Sequence, residues 1–349
     1  MNVALKDAVF ATRVVQWQQQ YGRNNLPWQN TRDPYFVWLS EIMLQQTQVI
    51  TVKDYFVRFV ARMPNVAALA AASQDEVMGL WSGLGYYSRA RNLHRCAQMV
   101  VSTFGGQFPA SAQLLTTLPG IGRSTASAIA SICFGERVAI LDANVKRVLT
   151  RVFAFEGDLA KATQERALWD AATHVLPAGD EAQTHMPRYT QGMMDLGATV
   201  CLPKQPQCKL CPVQTMCQSY KNGTMLKYPV RTRKLKRTSQ SLWLLWACSS
   251  HGDVWLAKRP SPGVWANLQC LPLFDTEETL QQAVPENWRC HIQALPAIKH
   301  VLTHKDLHLH VRLLDLPNSH LQWPQGQWFT AAEWKAAGLP APIRKLLEG

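Results

Sequence analysis

No stretch of this 349-residue chain is long and apolar enough to cross a membrane. Its apolar runs are short and broken, as in 241–248, where a span needs 18 or more residues. The N-terminal MNVALKDAVFATRVVQW lacks a basic region leading into an apolar core and cleavage site, so a cytoplasmic protein is expected. Internal repeats and low-complexity tracts are also missing. Charged residues are scarce at 17% and apolar ones make 47%, which excludes a disordered chain and leaves about two globular domains. That length buries sizeable cores without disulfide staples.

Acidic residues are absent from 226–240, which carries six basic ones. Residues 1–225 hold 21 basic against 15 acidic residues, and 241–349 hold nine of each. The net charge of +12 therefore lies on the first two-thirds and on a short segment after it. Such a distribution suits a polyanion such as nucleic acid. Nine cysteines is an odd number, and no export signal accompanies them. Cys201, Cys208, Cys211 and Cys217 are grouped and read as a metal site. The other five, at 96, 133, 248, 270 and 290, read as small core residues.

What is there divides into three stretches. Residues 1–225 read as helix after helix, with no strong β alternation. Helical spacing covers 34–62, with a break near Gln45–Thr47. Ser73-Gln-Asp-Glu76 is a capping box, and a helix over 88–104 stops at Gly105-Gly106. Helices over 114–118 and 124–133 flank Pro119-Gly120-Ile121-Gly122, and a further one over 142–155 has Asp142 as its N-cap. Residues 226–240 read as a basic linker. Residues 241–349 show short apolar runs at 243–248, 254–257, 268–274 and 307–314, separated by turns, and read as an α+β domain with an antiparallel or mixed sheet.

Three motifs carry chemistry. In LPGIGRSTASAIA, Gly120 and Gly122 let the backbone approach another molecule, and the free N–H groups at the next helix start suit a phosphate oxygen. Glu41 sits among Val37, Trp38, Leu39, Ile42, Met43 and Leu44, where desolvation raises a carboxyl pKa and makes a proton donor. Asp142 opens a helix, where capping is expected to depress its pKa and keep it ionised. An acid and an anion together suit cleavage of a glycosidic bond through an oxocarbenium-like state. Cys201-x6-Cys208-x2-Cys211-x5-Cys217 suits either a [4Fe–4S] cluster or one tetrahedral zinc, and spacing alone does not decide. Lys204 and Lys209 lie within these loops and would be presented to DNA phosphate.

LPGIGRSTA, then LDANVKRV, then the cysteine pattern resemble the helix–hairpin–helix glycosylases with a Gly/Pro-rich loop and a catalytic Asp, to which endonuclease III belongs. LPWQ (26–29), WLSEIMLQQTQV (38–49) and GLGYYSRARNLH (83–94) resemble, within that superfamily, the MutY family of adenine DNA glycosylases. The resemblance runs over nearly the whole chain. It implies an all-α catalytic domain over 1–225, the linker over 226–240, and a MutT-like (Nudix) domain over 241–349 that reads 8-oxoguanine. It implies removal of adenine opposite 8-oxoguanine, less efficiently opposite guanine, from double-stranded DNA, by a monomer associated with the nucleoid when bound. It also implies a [4Fe–4S] cluster on the four cysteines, Glu41 as the acid at adenine N7, Asp142 as stabiliser of the sugar cation, and Asn144 as organiser of the carboxylates. Gln46 and Tyr86 match residues that wedge into the stack once the base is flipped out.

Ser124 stands where the related glycosylase/lyases carry a Schiff-base lysine. Serine forms no imine, so a monofunctional glycosylase is expected. Lys146 matches a lysine trapped on DNA incidentally in the family. Two departures stand out. Ala143 follows the catalytic Asp where relatives commonly have Gly. Leu302-Thr303-His304 replaces the usual Phe-Ser-His of the 8-oxoguanine loop, which keeps a hydroxyl and an apolar wedge and loses stacking. The Glu-rich helix that a Nudix hydrolase needs for divalent metal is absent, so this domain is expected to recognise and not to catalyse. The competing readings are an endonuclease III-like glycosylase/lyase, against which Ser124 argues, and a non-catalytic iron–sulfur DNA-binding protein, against which the Glu41 and Asp142 pair argues.

Overall fold

The computed structural model describes residues 3–232, 236–317 and 321–349; part of the basic linker, 233–235, lies outside the described residues. Helices fill the chain as far as Lys221. They are α1 (Val3–Tyr21), α2 (Pro34–Leu44), α3 (Val49–Arg62), α4 (Val66–Ala71), α5 (Gln74–Trp81), α6 (Ser88–Phe104), α7 (Ala112–Leu115), α8 (Arg123–Phe134), α9 (Ala143–Phe153), α10 (Ala162–His174), α11 (Ala182–Thr199) and α12 (Gln218–Lys221).

Local chemistry sets the breaks. Asp33 caps α2 by accepting from the Tyr35 N–H at 2.9 Å, and Pro34 takes the first helical position, where its missing N–H costs nothing. The expected interruption at 45–47 is real: α2 stops at Leu44, and Gln46 adopts φ +57° before α3 begins. Ser73 caps α5 through the Glu76 N–H at 3.1 Å. The helix read as 114–118 starts earlier, at Ala112, because Ser111 caps it by accepting from Leu114 N–H.

The chain forms two compact units that do not follow chain order. One is Met1–Ala70 with Arg95–Arg233; the other is Ala71–His94 with Lys234–Gly349. The excursion has a physical cause. The hydroxyl of Tyr87 donates to the Leu339 carbonyl at 2.7 Å, and Arg91 donates to the Ala266 carbonyl at 2.9 Å. Gly79 lies so close to the Ala336 carbonyl that a Cβ there would come within 2.3 Å of its oxygen. A reading in chain order has no access to these contacts.

The helical unit centres on an apolar core that includes Leu141, Val145, Val148, Leu168, Met193 and Leu196, so α9, α10 and α11 are packed around one interior. The second unit holds β1 (Thr238–Ser249), β2 (Val254–Lys258), β3 (Gln269–Cys270), β4 (Leu273–Phe274), β5 (Ile292–Ala294), β6 (Ile298–Val301), β7 (Lys305–Leu316) and β8 (Gln327–Phe329). Helices α13 (Glu277–Ala283), α14 (Glu286–Arg289), α15 (Ala331–Ala336) and α16 (Ala341–Glu348) accompany the strands. The sheet is mixed. β1 and β7 run parallel, in register from Thr238↔Lys305 to Ser249↔Leu316, and every other pairing is antiparallel. β1 begins at Thr238, inside the stretch read as linker, because its first residues pair with β7 rather than with solvent.

Candidate active site and cysteine pocket

A cavity of about 490 Å³ opens in the helical unit. That volume is within the range that encloses a small organic ligand. Ser40 and Glu41 of α2 form one wall, and Arg188 and Gln191 of α11 form another. The loop after α1 supplies Trp28 and Gln29. The amide nitrogen of Gln29 is buried and has no hydrogen-bond partner, so it faces the interior as a spare donor. Arg23 fixes this loop to α11. Its guanidinium and backbone N–H both bond the fully buried Asp195, at 2.8 and 3.0 Å, and Gln191 donates to the same carboxylate at 2.9 Å.

Glu41 reaches the cavity because α2 buries nearly everything else. Val37, Trp38, Leu39, Ile42 and Met43 all turn into the core. The Glu41 carboxyl is pushed up to about 7, first by burial and then by the nearby charge of Asp142. The upward shift anticipated from its apolar neighbours is therefore present.

Asp142 is the N-cap of α9, and its carboxylate accepts from Val145 N–H at 2.7 Å. The Asn144 amide stands 3.5 Å from its other oxygen. These donors favour the anion, as does nearby Arg147. Burial outweighs them, however, and the net displacement is upward. The expected depression by capping alone is therefore corrected: a cap lowers a pKa reliably only where the carboxylate stays solvated.

The residues around this pair have definite positions. Ser124, in the first turn of α8, accepts from Leu141 N–H at 3.1 Å and so ties down the segment leading into Asp142. Ala143 is exposed at the first position of α9, where its methyl meets solvent and no positive φ is required. Lys146 is ion-paired with Glu165 of α10. Gly120 takes φ +78°, and Gly122 starts α8 with no side-chain cap and open space around it. That leaves the first N–H groups of α8 available to an outside acceptor.

Sequence reasoning passed over Arg147 and Arg151. Arg147 donates to the Asn144 side chain at 2.9 Å, the Gly197 carbonyl at 2.6 Å and the Cys201 carbonyl at 2.7 Å. Arg151 is buried and bonds the carbonyls of Leu202 and Pro203 at 2.7 and 2.9 Å. Their i, i+4 spacing on one face of α9, with Arg147 three residues beyond Asn144, was the available signal. Gly197 lets α11 approach: a Cβ there would lie 2.6 Å from that of Asn144.

Cys201, Cys208, Cys211 and Cys217 line one apolar pocket beside α9. Burial raises the thiols of Cys201, Cys208 and Cys211, so bare thiolates there are disfavoured without a compensating cation. They surround the pocket without meeting at a point. Among the described residues, no three His, Cys, Asp or Glu side chains are grouped to hold a single ion.

The remaining expected residues lie on turns. Gln46 is exposed, with φ +57°. Tyr86, in the second unit, is 43% exposed with φ +49°. Beneath it Arg89 donates to the Leu84 and Gly85 carbonyls and faces the Tyr86 ring at 5.4 Å. The Tyr86 hydroxyl lies 3.1 Å from that of Thr303. Leu302, Thr303 and His304 form the turn between β6 and β7; Leu302 and Thr303 are half-buried and His304 is exposed. His300 is half-buried against the Trp265 ring, 6.0 Å away, which is a packing role.

Residues 39–172 match the model of the HhH-GPD superfamily of base excision DNA repair proteins, and residues 243–349 match the NUDIX domain. An adenine DNA glycosylase of Buchnera aphidicola subsp. Schizaphis graminum is 35% identical over 347 residues, covering 97% of this chain and 98% of the relative. The chain belongs to the adenine DNA glycosylases. The Mus musculus adenine DNA glycosylase is 44% identical over 220 residues, 60% of this chain and 42% of that one. A thermostable thymine-DNA glycosylase structure superposes with TM-score 0.54 at 27% identity, covering 63% of this chain and all of that one. An endonuclease III–DNA complex, at 20% identity and TM-score 0.52, shares the fold over 64% of this chain and 99% of that one. This glycosylase is thus a DNA-binding base-excision repair enzyme with a helical HhH-GPD domain and a C-terminal Nudix domain.

Proposed function

We propose that this chain hydrolyses the N-glycosidic bond of adenine opposite 8-oxoguanine, and more slowly opposite guanine, without cutting the strand. The observation that carries this reading is Glu41. It is a carboxyl with a pKa near 7, set in the wall of a cavity large enough for a flipped nucleobase, with Asp142 close enough to influence it. A half-protonated Glu41 at neutral pH donates to a ring nitrogen of the base, and adenine leaves as a neutral group. Asp142 keeps its negative charge when the shared proton rests on Glu41, and it stabilises the sugar cation that develops. Asn144 and Arg147 hold it in place. The Gln29 amide and Gln191 line the cavity and supply polar groups to read the base edge.

Ser124 is engaged by Leu141 and Lys146 by Glu165, so neither supports a Schiff-base route. The Gly120–Gly122 hairpin and the start of α8 would take a DNA phosphate. Four thiols around one apolar pocket suit a [4Fe–4S] group better than one ion, because a cuboidal cluster spreads its ligands across such a space. Bound there, the group would cross-link the Cys201–Cys217 loops and hold Lys204 and Lys209 out toward phosphate. Tyr86 and the Leu302–His304 turn would read the base opposite adenine, on a single copy of the chain bound to duplex DNA.

Single-turnover cleavage of an end-labelled duplex with one A:8-oxoguanine pair tests this, each time point being split with and without hot alkali. Breaks only after alkali are expected. Prompt breaks without alkali would mean a lyase nucleophile and overturn the monofunctional assignment. No breaks in either half would overturn the catalytic one.

A further inference from the structure

We infer that Arg237, the last basic residue of the linker sequence, is a positioning residue for recognition of the base opposite adenine. This rests on the role of the Leu302–His304 turn proposed above. The guanidinium donates to the Thr303 carbonyl at 3.2 Å and is ion-paired with Asp306. The second Asp306 oxygen faces the Lys299 ammonium at 3.6 Å. The next residue, Thr238, donates its backbone N–H to the His304 carbonyl at 3.0 Å, and Leu302 N–H closes the turn on the Lys305 carbonyl at 2.8 Å. Two consecutive residues of the linker end thus hold two consecutive carbonyls of the turn.

The clamp has a consequence for Thr303. With its carbonyl fixed by Arg237, the Thr303 hydroxyl is directed to Tyr86, 3.1 Å away. A planar fork holds its N–H groups in fixed directions toward the carbonyl and the carboxylate; the lysine ammonium, a compact charge on a flexible stem, does not fix that geometry. Arg237 and Asp306 are both partly solvent-exposed, with 41% and 26% of their side-chain surface accessible, so their pairing adds little to stability. Its effect is on the orientation of the turn.

The alternative for a basic residue in this stretch is a plain phosphate contact, and the two roles predict opposite signs at Asp306. The test uses the full-length protein with Arg237→Ala, Arg237→Lys and Asp306→Asn. Affinity and single-turnover rate are measured on A:8-oxoguanine and A:G duplexes over a range of salt. The clamp predicts that Arg237→Ala and Asp306→Asn each lower the preference for 8-oxoguanine by about 3–10-fold, the scale of one hydrogen bond's net contribution. Arg237→Lys should restore little of it, and the salt dependence should stay as in the wild type. If Arg237→Ala instead weakens both duplexes equally and lowers the salt slope by about one, while Asp306→Asn strengthens binding, the clamp is overturned. Hydrogen exchange of the free protein reads the clamp without DNA: the 302–306 amides should exchange faster in both the Ala and Asn variants. Unchanged exchange would overturn the inference. A wild-type enzyme with no preference for 8-oxoguanine would instead overturn the function assigned to the turn, leaving the exchange result to judge the clamp.

Discussion

The two units keep their functional groups in opposite ways. The helical unit covers them: Glu41, Asp142, Cys201, Cys208 and Cys211 all sit where desolvation moves their proton affinity upward. The second unit displays them: Tyr86 and His304 are exposed, and the Tyr86 hydroxyl meets Thr303 on a turn. Burial is what bond cleavage needs, because it adjusts acidity and strengthens fields. Display is what reading a duplex needs, because a turn must reach a base without a large conformational cost. Substitutions at Glu41 and Asp142 should therefore abolish chemistry and spare binding, and those at Tyr86 and Thr303 should alter selectivity and spare chemistry.

The largest effect should come from the carboxylates. Glu41→Gln removes the acid, and base release should fall by about 10²–10⁴-fold. Asp142→Asn removes the anion proposed to stabilise the sugar cation and should cost about 10²–10³-fold or more. Duplex affinity should remain close to wild type in both. Equal loss of affinity and rate would break the contrast, because it would place these groups in binding rather than chemistry.

Next in size is the buried ion pair behind the cavity. Asp195→Ala removes a fully buried carboxylate and leaves Arg23, 27% exposed, and the Gln191 amide without their acceptor, which costs about 1–3 kcal/mol. Thermal unfolding should show the loss, and base release should fall as the loop bearing Gln29 detaches from α11. An unchanged melting temperature would show that the pair adds nothing to stability.

Much of this architecture was legible in the sequence. Asp142 announced itself as the cap of α9 and Ser73 as the cap of α5, because each depends on neighbours a few residues away. What was not legible depends on distant partners. Nothing local in GLWSGLGYYSRARN says that 71–94 packs against 266 and 339. The direction of the Asp142 shift depends on how completely other elements cover it, which a cap motif does not contain. The basic run read as a uniform linker, yet Arg237 is committed to Asp306, a partner 69 residues away.

The pH dependence sharpens the contrast from the chemical side. Glu41 must be protonated to donate, so the rate should decline as pH rises through about 7. The decline should vanish in Glu41→Gln. A stability effect accompanies it. The folded-state pKa is raised above the unfolded value, so Glu41 costs nothing below about 4.5 and progressively destabilises the fold as pH rises through about 7. Glu41→Gln should therefore be more stable than wild type at pH 8, by about 1–3 kcal/mol, and not at pH 4. An identical melting difference at both pH values would show that the gain is not electrostatic.

The smallest effect belongs to the displayed pair. Tyr86→Phe deletes a hydroxyl that reaches Thr303 across an exposed turn and leaves the ring, and its φ of +49°, in place. Thr303→Ala deletes the other half. A solvated hydrogen bond is worth about 0.5–1.5 kcal/mol net, and an exposed one lies at the low end. Each single variant should therefore shift stability by less than about 1 kcal/mol, while lowering the preference for 8-oxoguanine over guanine a few-fold. The double variant decides whether the pair acts as a unit. If it does, Tyr86→Phe with Thr303→Ala should lose no more selectivity than either alone, a coupling of about 0.5–1 kcal/mol. If the losses multiply, the two side chains read the opposite base independently, and the hydrogen bond between them is only a resting contact.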